Sequence, residues 1–301
     1  MAIVFENRKR RHRKKVTIIA ISILVIAIII STFLLYQFMN FFYSNYKVVE
    51  EIERQDSSSS KYINYNKGII QYSKDGAMAI DAQGNYIWNG SYNMNNPILD
   101  ICEDYVVISD RGGKKIEVFD GSGHLISLEV LHPIITAELS NQVLVAVLMY
   151  GEELNYIQLI SPTGEVLVDS KTTIEKNGFP IDFSMSRDGR KLVTSYITLN
   201  NGNMQSKVTF YNFGGVGQNY IDRIVGGFDH GLTFVSKVEF INNDTVSVFG
   251  DDKFCIYKIS EVPKLIYEEA LQSEIKSIAY SDKYIGIVQK DIDGKGGSLL
   301  K

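Results

Sequence analysis

Residues able to carry chemistry are few in this 301-residue protein, and they are scattered. Histidine is the side chain best suited to proton transfer near neutral pH, and only His124, His132 and His230 stand outside the N-terminal segment. None has a second metal ligand at helical or hairpin spacing, so neither a zinc site nor a Ser/His/Asp arrangement is supported. HExxH, GxSxG, a Walker A loop and GxGxxG are all missing from the sequence. The acidic pairs Glu103-Asp104, Glu152-Glu153, Asp251-Asp252 and Glu268-Glu269 fall where turns and strand ends are expected, and they read as solvated turn charges. Asp291-x-Asp293-Gly294 opens like a calcium loop but lacks the third oxygen position and the distal Glu. Cys102 and Cys255 sit far apart in strand-like apolar contexts and read as buried small hydrophobes, with a disulfide as the alternative. The expectation is a protein with no catalytic residues, no metal and no cofactor.

The contact candidates are aromatic. Between Ser195 and Val235 the sequence holds more residues than the neighbouring repeats do, including the glycine-rich stretches at 213–217 and 226–231. Long connections between rigid elements are where binding concentrates. Tyr211, Phe213, Tyr220, Phe228 and His230 are therefore taken as the exposed contact set of that excursion, against the alternative of a solvated loop without a role.

The elements that must position these residues are short strands. From Asn96 to Val130 four extended segments (98–102, 105–109, 115–119 and 124–128) are separated by turn residues. Apolar strand, polar turn, apolar strand then recurs at 98–109, 135–147, 181–196, 235–250 and 275–289. Gly84, Gly123 and Gly164 occupy matching turn positions, spaced 39 and 41 residues apart, where a tight hairpin calls for positive φ. Four strands per roughly 40 residues predict an all-β fold, a β-propeller of four-stranded antiparallel blades, with a β-sandwich or solenoid as runner-up. Because Ser298–Lys301 reads as the opening of a further strand, the propeller is expected to be incomplete and the sequence truncated at its C-terminus. One partial N-terminal blade, four fuller ones and half of another are counted.

The N-terminus differs in kind. Residues 1–15 hold seven basic residues against Glu6 alone, and Val16–Leu35 is uncharged and apolar, long enough to span the hydrocarbon core of a bilayer. Tyr36, Phe38, Phe41, Phe42 and Tyr43 follow as an interfacial belt. The division is a basic cytoplasmic tail over 1–15, a transmembrane signal anchor over 16–43, a stalk over 44–61 and an extracytoplasmic propeller over 62–301. Within the stalk, a helical turn or two around Val48–Arg54 precedes a flexible linker at Asp56–Ser60. Removing the tail's seven basic and one acidic residue from totals of 31 and 35 leaves 24 basic and 34 acidic residues beyond the span, a net charge of −10. That acidity argues against nucleic acid as a partner.

Two segments resemble known propeller repeats. Ala79–Trp88, AIDAQGNYIW, is similar to the A-x-D-x-x-G-x-x-x-W repeat of quinoprotein-like (PQQ-like) propellers, which implies that Trp88 docks between blades. Ser184–Leu192, SMSRDGRKL, resembles the S-x-D-G-x-x-L hairpin of WD40-like and TolB-like propellers. With a single Trp, the sequence departs from the quinoprotein dehydrogenases, which repeat theirs. From about Arg8 to Lys301 the arrangement of basic head, anchor, serine linker and degenerate repeats resembles an uncharacterised family of membrane-anchored proteins from Gram-positive bacteria. That resemblance implies architecture and location, a cell-membrane protein with its N-terminus cytoplasmic, and transfers no catalytic residue.

The function expected is a non-enzymatic, membrane-anchored platform binding a protein or cell-envelope polymer. The alternatives are a quinoprotein-like or glycan-active propeller enzyme, which would need charged residues converging in a central channel, and a ligand sensor.

Overall fold

The structure, a computed structural model, describes residues 2–39, 60–200, 202–281, 284–290 and 298–300. The protein forms two compact units, Met1–Glu53 and Arg54–Lys301. In the first, α1 (Ala2–Met39) is one continuous helix that takes in the basic head as well as the apolar run. Its segment Val16–Gln37 has a mean hydropathy of 3.1 and no buried side chains, so by length and composition it could cross a membrane or serve as a signal sequence. The Thr32 hydroxyl bonds back to the Ile28 and Ile29 carbonyls, which satisfies a polar group inside an apolar surface. The stalk expected over 44–61 lies outside the described residues up to position 59.

The second unit is a series of antiparallel sheets, each a simple meander. Sheet 1 holds β1 (Lys61–Tyr65), β2 (Gly68–Tyr72), β3 (Gly76–Ile80) and β4 (Tyr86–Ser91). Sheet 2 holds β5 (Pro97–Cys102), β6 (Tyr105–Asp110), β7 (Lys115–Asp120) and β8 (Gly123–Glu129). Sheet 3 follows with β9 (Ile134–Leu139), β10 (Val145–Tyr150), β11 (Leu154–Ile160) and β12 (Val166–Thr173). After the short helix α2 (Ile174–Asn177), sheet 4 is built from β13 (Phe179–Met185), β14 (Lys191–Asn200), β15 (Asn203–Asn212) and β16 (Ile224–Gly231). Sheet 5 contains β17 (Val235–Asn242), β18 (Thr245–Gly250), β19 (Lys253–Ile259) and β20 (Pro263–Ala270). Sheet 6 has three strands among the described residues, β21 (Ile275–Tyr280), β22 (Ile285–Lys290) and β23 (Ser298–Leu300). All five recurrent hairpin segments fall on the first two strands of sheets 2 to 6.

The recurrent turn has a common chemistry. Asp81 Oδ1 accepts from the Gln83 and Asn85 N–H groups at 2.8 Å each, Asp120 Oδ1 from Ser122 at 2.7 Å and Gly123 at 3.1 Å. Ser161 Oγ plays the same part for Thr163 and Glu165. Gly84, Gly123 and Gly164 all have positive φ, at 84°, 130° and 83°. Each small polar side chain thus closes the loop while the glycine supplies a backbone region that L-residues rarely enter.

Two expectations are corrected here. Sheet 1 is a complete four-stranded sheet, because Lys61–Tyr65 pairs along its whole length with β2. The long excursion is mostly strand: β14 and β15 are ten residues each and pair to their tips, Asn200 opposite Asn203. The glycines at 226–231 lie in β16, so the irregular part shrinks to 213–223, with short 3-10 turns at Val216–Asn219 and Ile221–Arg223.

The core is a set of layers between successive sheets. Ile70 and Trp88 of sheet 1 pack on Val106 and Phe119 of sheet 2, and Val107 and Val118 of sheet 2 pack on Val145 and Val147 of sheet 3. Leu148 and Leu159 meet Phe183 and Leu192, Phe210 meets Val238 and Tyr257, and Phe249 and Phe254 meet Ile287. Each inner sheet buries both faces by lying between two others, which is how a four-stranded sheet too small to form its own core is stabilised. Cys102 and Cys255 are buried in two different layers as free thiols.

Candidate functional site

The five aromatic contact candidates do not form one surface. Tyr211 is fully buried, with its hydroxyl bonded to that of Tyr196 at 2.8 Å, and His230 is buried with Nε2 3.1 Å from the Tyr257 hydroxyl. Both therefore belong to the packing between sheets, because alternation along β15 and β16 turns them inward. Burial lowers His230 to about 4, helped by nearby Lys253, so its ring is neutral. Phe213 is half-buried and stacks on Tyr211, while Phe228 is half-buried against Phe210 and Tyr257. Only Tyr220, 41% accessible, is exposed, beside Ile221 at 88% in the same loop.

A different set of side chains converges. The first strands of sheets 2 to 6 surround a cavity of about 190 Å³, lined by Asp100, Glu138, Met185, Glu239 and Tyr280 among others. A first strand pairs with its own sheet on one side only, which leaves backbone N–H groups on its other edge in search of acceptors. The acidic residues supply them, one sheet at a time. Asp100 Oδ2 on β5 accepts from the Leu139 N–H of β9 at 2.9 Å. Glu138 Oε2 on β9 accepts from the Met185 N–H of β13 at 2.7 Å. Asp182 Oδ2 on β13 accepts from the Val238 N–H of β17 at 3.0 Å, with Ser184 Oγ accepting from Phe240 beside it at 3.1 Å. Glu239 on β17 continues the series beside Tyr280 of β21, both lining the cavity, where burial and the Glu239 charge push the phenol above its usual value. Three junctions are thus stapled by an acid on a backbone N–H, and at the fourth Glu239 faces the Tyr280 phenol.

The ring is electrostatically crowded. Burial raises Asp100 to about 6, with Glu239 adding to the rise and the Leu139 N–H opposing it. Burial likewise lifts Asp182 to about 6, against the pull of Lys237. Glu138 is raised well above the ordinary carboxylate range, first by burial and then by repulsion from Asp100 and Glu239. Lys237 Nζ lies 2.8 Å from Glu239 Oε2. Burial disfavours its charge, but Glu239 and Asp182 outweigh that and hold it above its usual value. Cys102, at the cavity wall, is pushed up to about 11 by burial and by Asp100, so its thiol stays protonated. Chemically the ring can hold protons and offer acceptors. Among the described residues no group of three His, Cys, Asp or Glu is arranged to hold a metal ion.

Sequence reasoning passed over this ring because it attended to paired acids, which prove to be exposed turn and strand-end charges, with Glu269 half-buried. The available signal was subtler: a single acid within the first strand of four successive repeats, in ILDI, TAEL, PIDF and KVEF.

The pattern of a family of unknown function, DUF5711, matches residues 39–301. The chain belongs to this family. No curated protein matches it in sequence. Among solved structures it is similar to the WD40 domain of Neurospora crassa Pan2, at 12% identity and a TM-score of 0.51, over 77% of this chain and 71% of that one. It is also similar to Saccharomyces cerevisiae Sqt1, at 12% identity and a TM-score of 0.52, over 78% of this chain and 68% of that one. At such identity the likeness concerns the fold, and this DUF5711 member has a WD40-like propeller of antiparallel meander sheets. Within it Trp88 stacks on Phe119 of the next sheet, centroids 4.8 Å apart and planes 7° from parallel, as an inter-sheet packing residue.

Proposed function

We propose that this protein is a single-pass membrane protein that displays its propeller on the extracytoplasmic side as a non-enzymatic binding or scaffolding platform for a protein or cell-envelope polymer. The observation that carries the reading is the packing itself. Both faces of the inner sheets are spent on neighbouring sheets, so recognition is left to loops and outer edges held on a rigid frame. The apolar helix α1 and the basic residues ahead of it support the anchor and its orientation. The acidic charge beyond the span supports a partner other than nucleic acid. Of the aromatic candidates, Tyr220 in the exposed 213–223 loop is the one free to touch a partner.

The test is recovery of partners from detergent-solubilised envelope on the full-length protein, with a Tyr220→Ala/Ile221→Ala variant in parallel. A partner held by the wild type and lost by the variant supports the platform and its loop. If no macromolecule is retained and a tightly held small molecule appears in native mass spectrometry, the platform reading fails. A glycan-active enzyme is the second reading, favoured by the convergent carboxylates. It ranks lower because Asp100, Glu138 and Asp182 are each engaged by a backbone N–H of the next sheet.

A further inference from the structure

Asp100, Glu138 and Glu239 line one cavity, and Asp182 stands on β13 between the strands of Glu138 and Glu239; Asp100, Glu138 and Asp182 each accept a backbone N–H of the following sheet. Few cations accompany them. Facing the group are Lys237 on β17, in contact with Glu239, and Arg187, which follows β13 and lines the cavity. The other titratable neighbours are the Cys102 thiol on β5 and the Tyr280 phenol on β21. Carboxylates this crowded cannot all ionise at little cost, because each charge is partly removed from water and feels the others across a medium less polar than water. A protonated carboxyl removes that repulsion and still leaves an oxygen to accept the neighbouring N–H.

We propose that the ring is a proton-linked latch: protons held at Asp100, Glu138 and Asp182 draw the first strands of sheets 2 to 5 together, and their loss as the pH rises from mildly acidic toward 8 loosens those junctions. The device is independent of what the propeller binds. The raised values of Asp100, Asp182 and Glu138 agree with it, and linkage fixes its sign. Unfolded Asp and Glu release their protons near pH 4. The folded protein keeps those of Asp100 and Asp182 to about pH 6, and burial shifts Glu138 in the same direction, so in that window stability falls as pH rises. His230 acts with the opposite sign. Its folded value is about 4, so its share of stability is lost as pH falls from about 6.5 toward 4. Lys237 is raised, so its contribution persists until strongly alkaline pH and does not enter the window.

The experiment is thermal unfolding of the full-length protein in detergent from pH 5.5 to 8, for the wild type and Glu138→Gln. The amide keeps the oxygen that accepts from Met185 but cannot ionise. The wild-type melting temperature is expected to rise by several degrees on going from pH 8 to pH 5.5. Glu138→Gln should melt higher than wild type at pH 8 and show a flatter dependence. Calorimetry at pH 6 in buffers of different ionisation enthalpy should show that wild-type unfolding releases more protons than unfolding of the variant. Should Glu138→Gln not fold, Asp182→Asn and Asp100→Asn serve the same comparison. Equal slopes and equal proton release in wild type and every folded variant would overturn the latch.

Discussion

Single residues here do two kinds of work, and mutation separates them. Gly90 lies where a Cβ would come within 2.3 Å of the Phe119 ring, the same ring that stacks on Trp88. Phe119 is held between two sheets and has nowhere to go, so Gly90→Ala is expected to cost about 1–3 kcal/mol, as overpacked cores do. Chemical denaturation would register it, and wild-type stability would show that this layer yields. Gly84, at φ +84° and on the surface, tests conformation instead. Gly84→Ala is expected to lose about 1 kcal/mol. The acids of the ring differ from both, because their contribution changes with pH. At pH 8 removal of charge at Glu138 should stabilise, whereas truncation by Glu138→Ala strands the Met185 N–H and should destabilise.

At the scale of elements, the β14–β15 hairpin and α1 make opposite predictions. The hairpin is longer than its neighbours and carries an exposed cross-strand pair next to its tip, Leu199 opposite Met204. Nothing rests on that tip within the described residues, so Leu199→Ser/Met204→Ser should change stability by less than about 0.5 kcal/mol. A larger loss by denaturation would mean that the tip is packed. In α1, Leu24 sits mid-way along the apolar segment. Leu24→Arg/Ile28→Arg should shift the protein from the membrane to the soluble fraction, since each central Arg costs roughly 2.5–3.5 kcal/mol to insert. Unchanged fractionation would remove the anchor from the proposal.

For the whole molecule, cohesion between sheets is serial: each inner sheet contacts the one before and the one after, through an apolar layer and, for sheets 2 to 5, an acid staple. Such an architecture should lose cooperativity where a junction is weak. Among the described residues the junction of sheets 5 and 6 has the fewest buried apolar side chains, Phe249, Phe254 and Ile287, and a neighbouring cavity of about 390 Å³. Hydrogen exchange is expected to show β21 and β22 opening before β6 or β10. Uniform protection across all sheets would contradict this.

Much of this was legible in one dimension, because the signals are local. Turn glycines with an acceptor three residues earlier, paired apolar segments at a near-40-residue period and an uncharged run after a basic cluster each act over a few residues, and they determined the strands, the meander and the apolar helix. The completeness of sheet 1 was missed because β1, KYINY, is mostly exposed and carries little periodic signal; its place comes from pairing with β2. Tyr211 and His230 were misread as exposed because side-chain direction in a strand depends on register, and register there is set by bulges in the β15–β16 pair. The acid ring is the furthest from sequence. Asp100, Glu138, Asp182 and Glu239 are separated by 38, 44 and 57 residues, and stacking of the sheets alone gathers them along adjoining first strands, where burial and mutual repulsion turn Asp100, Glu138 and Asp182 into a proton store.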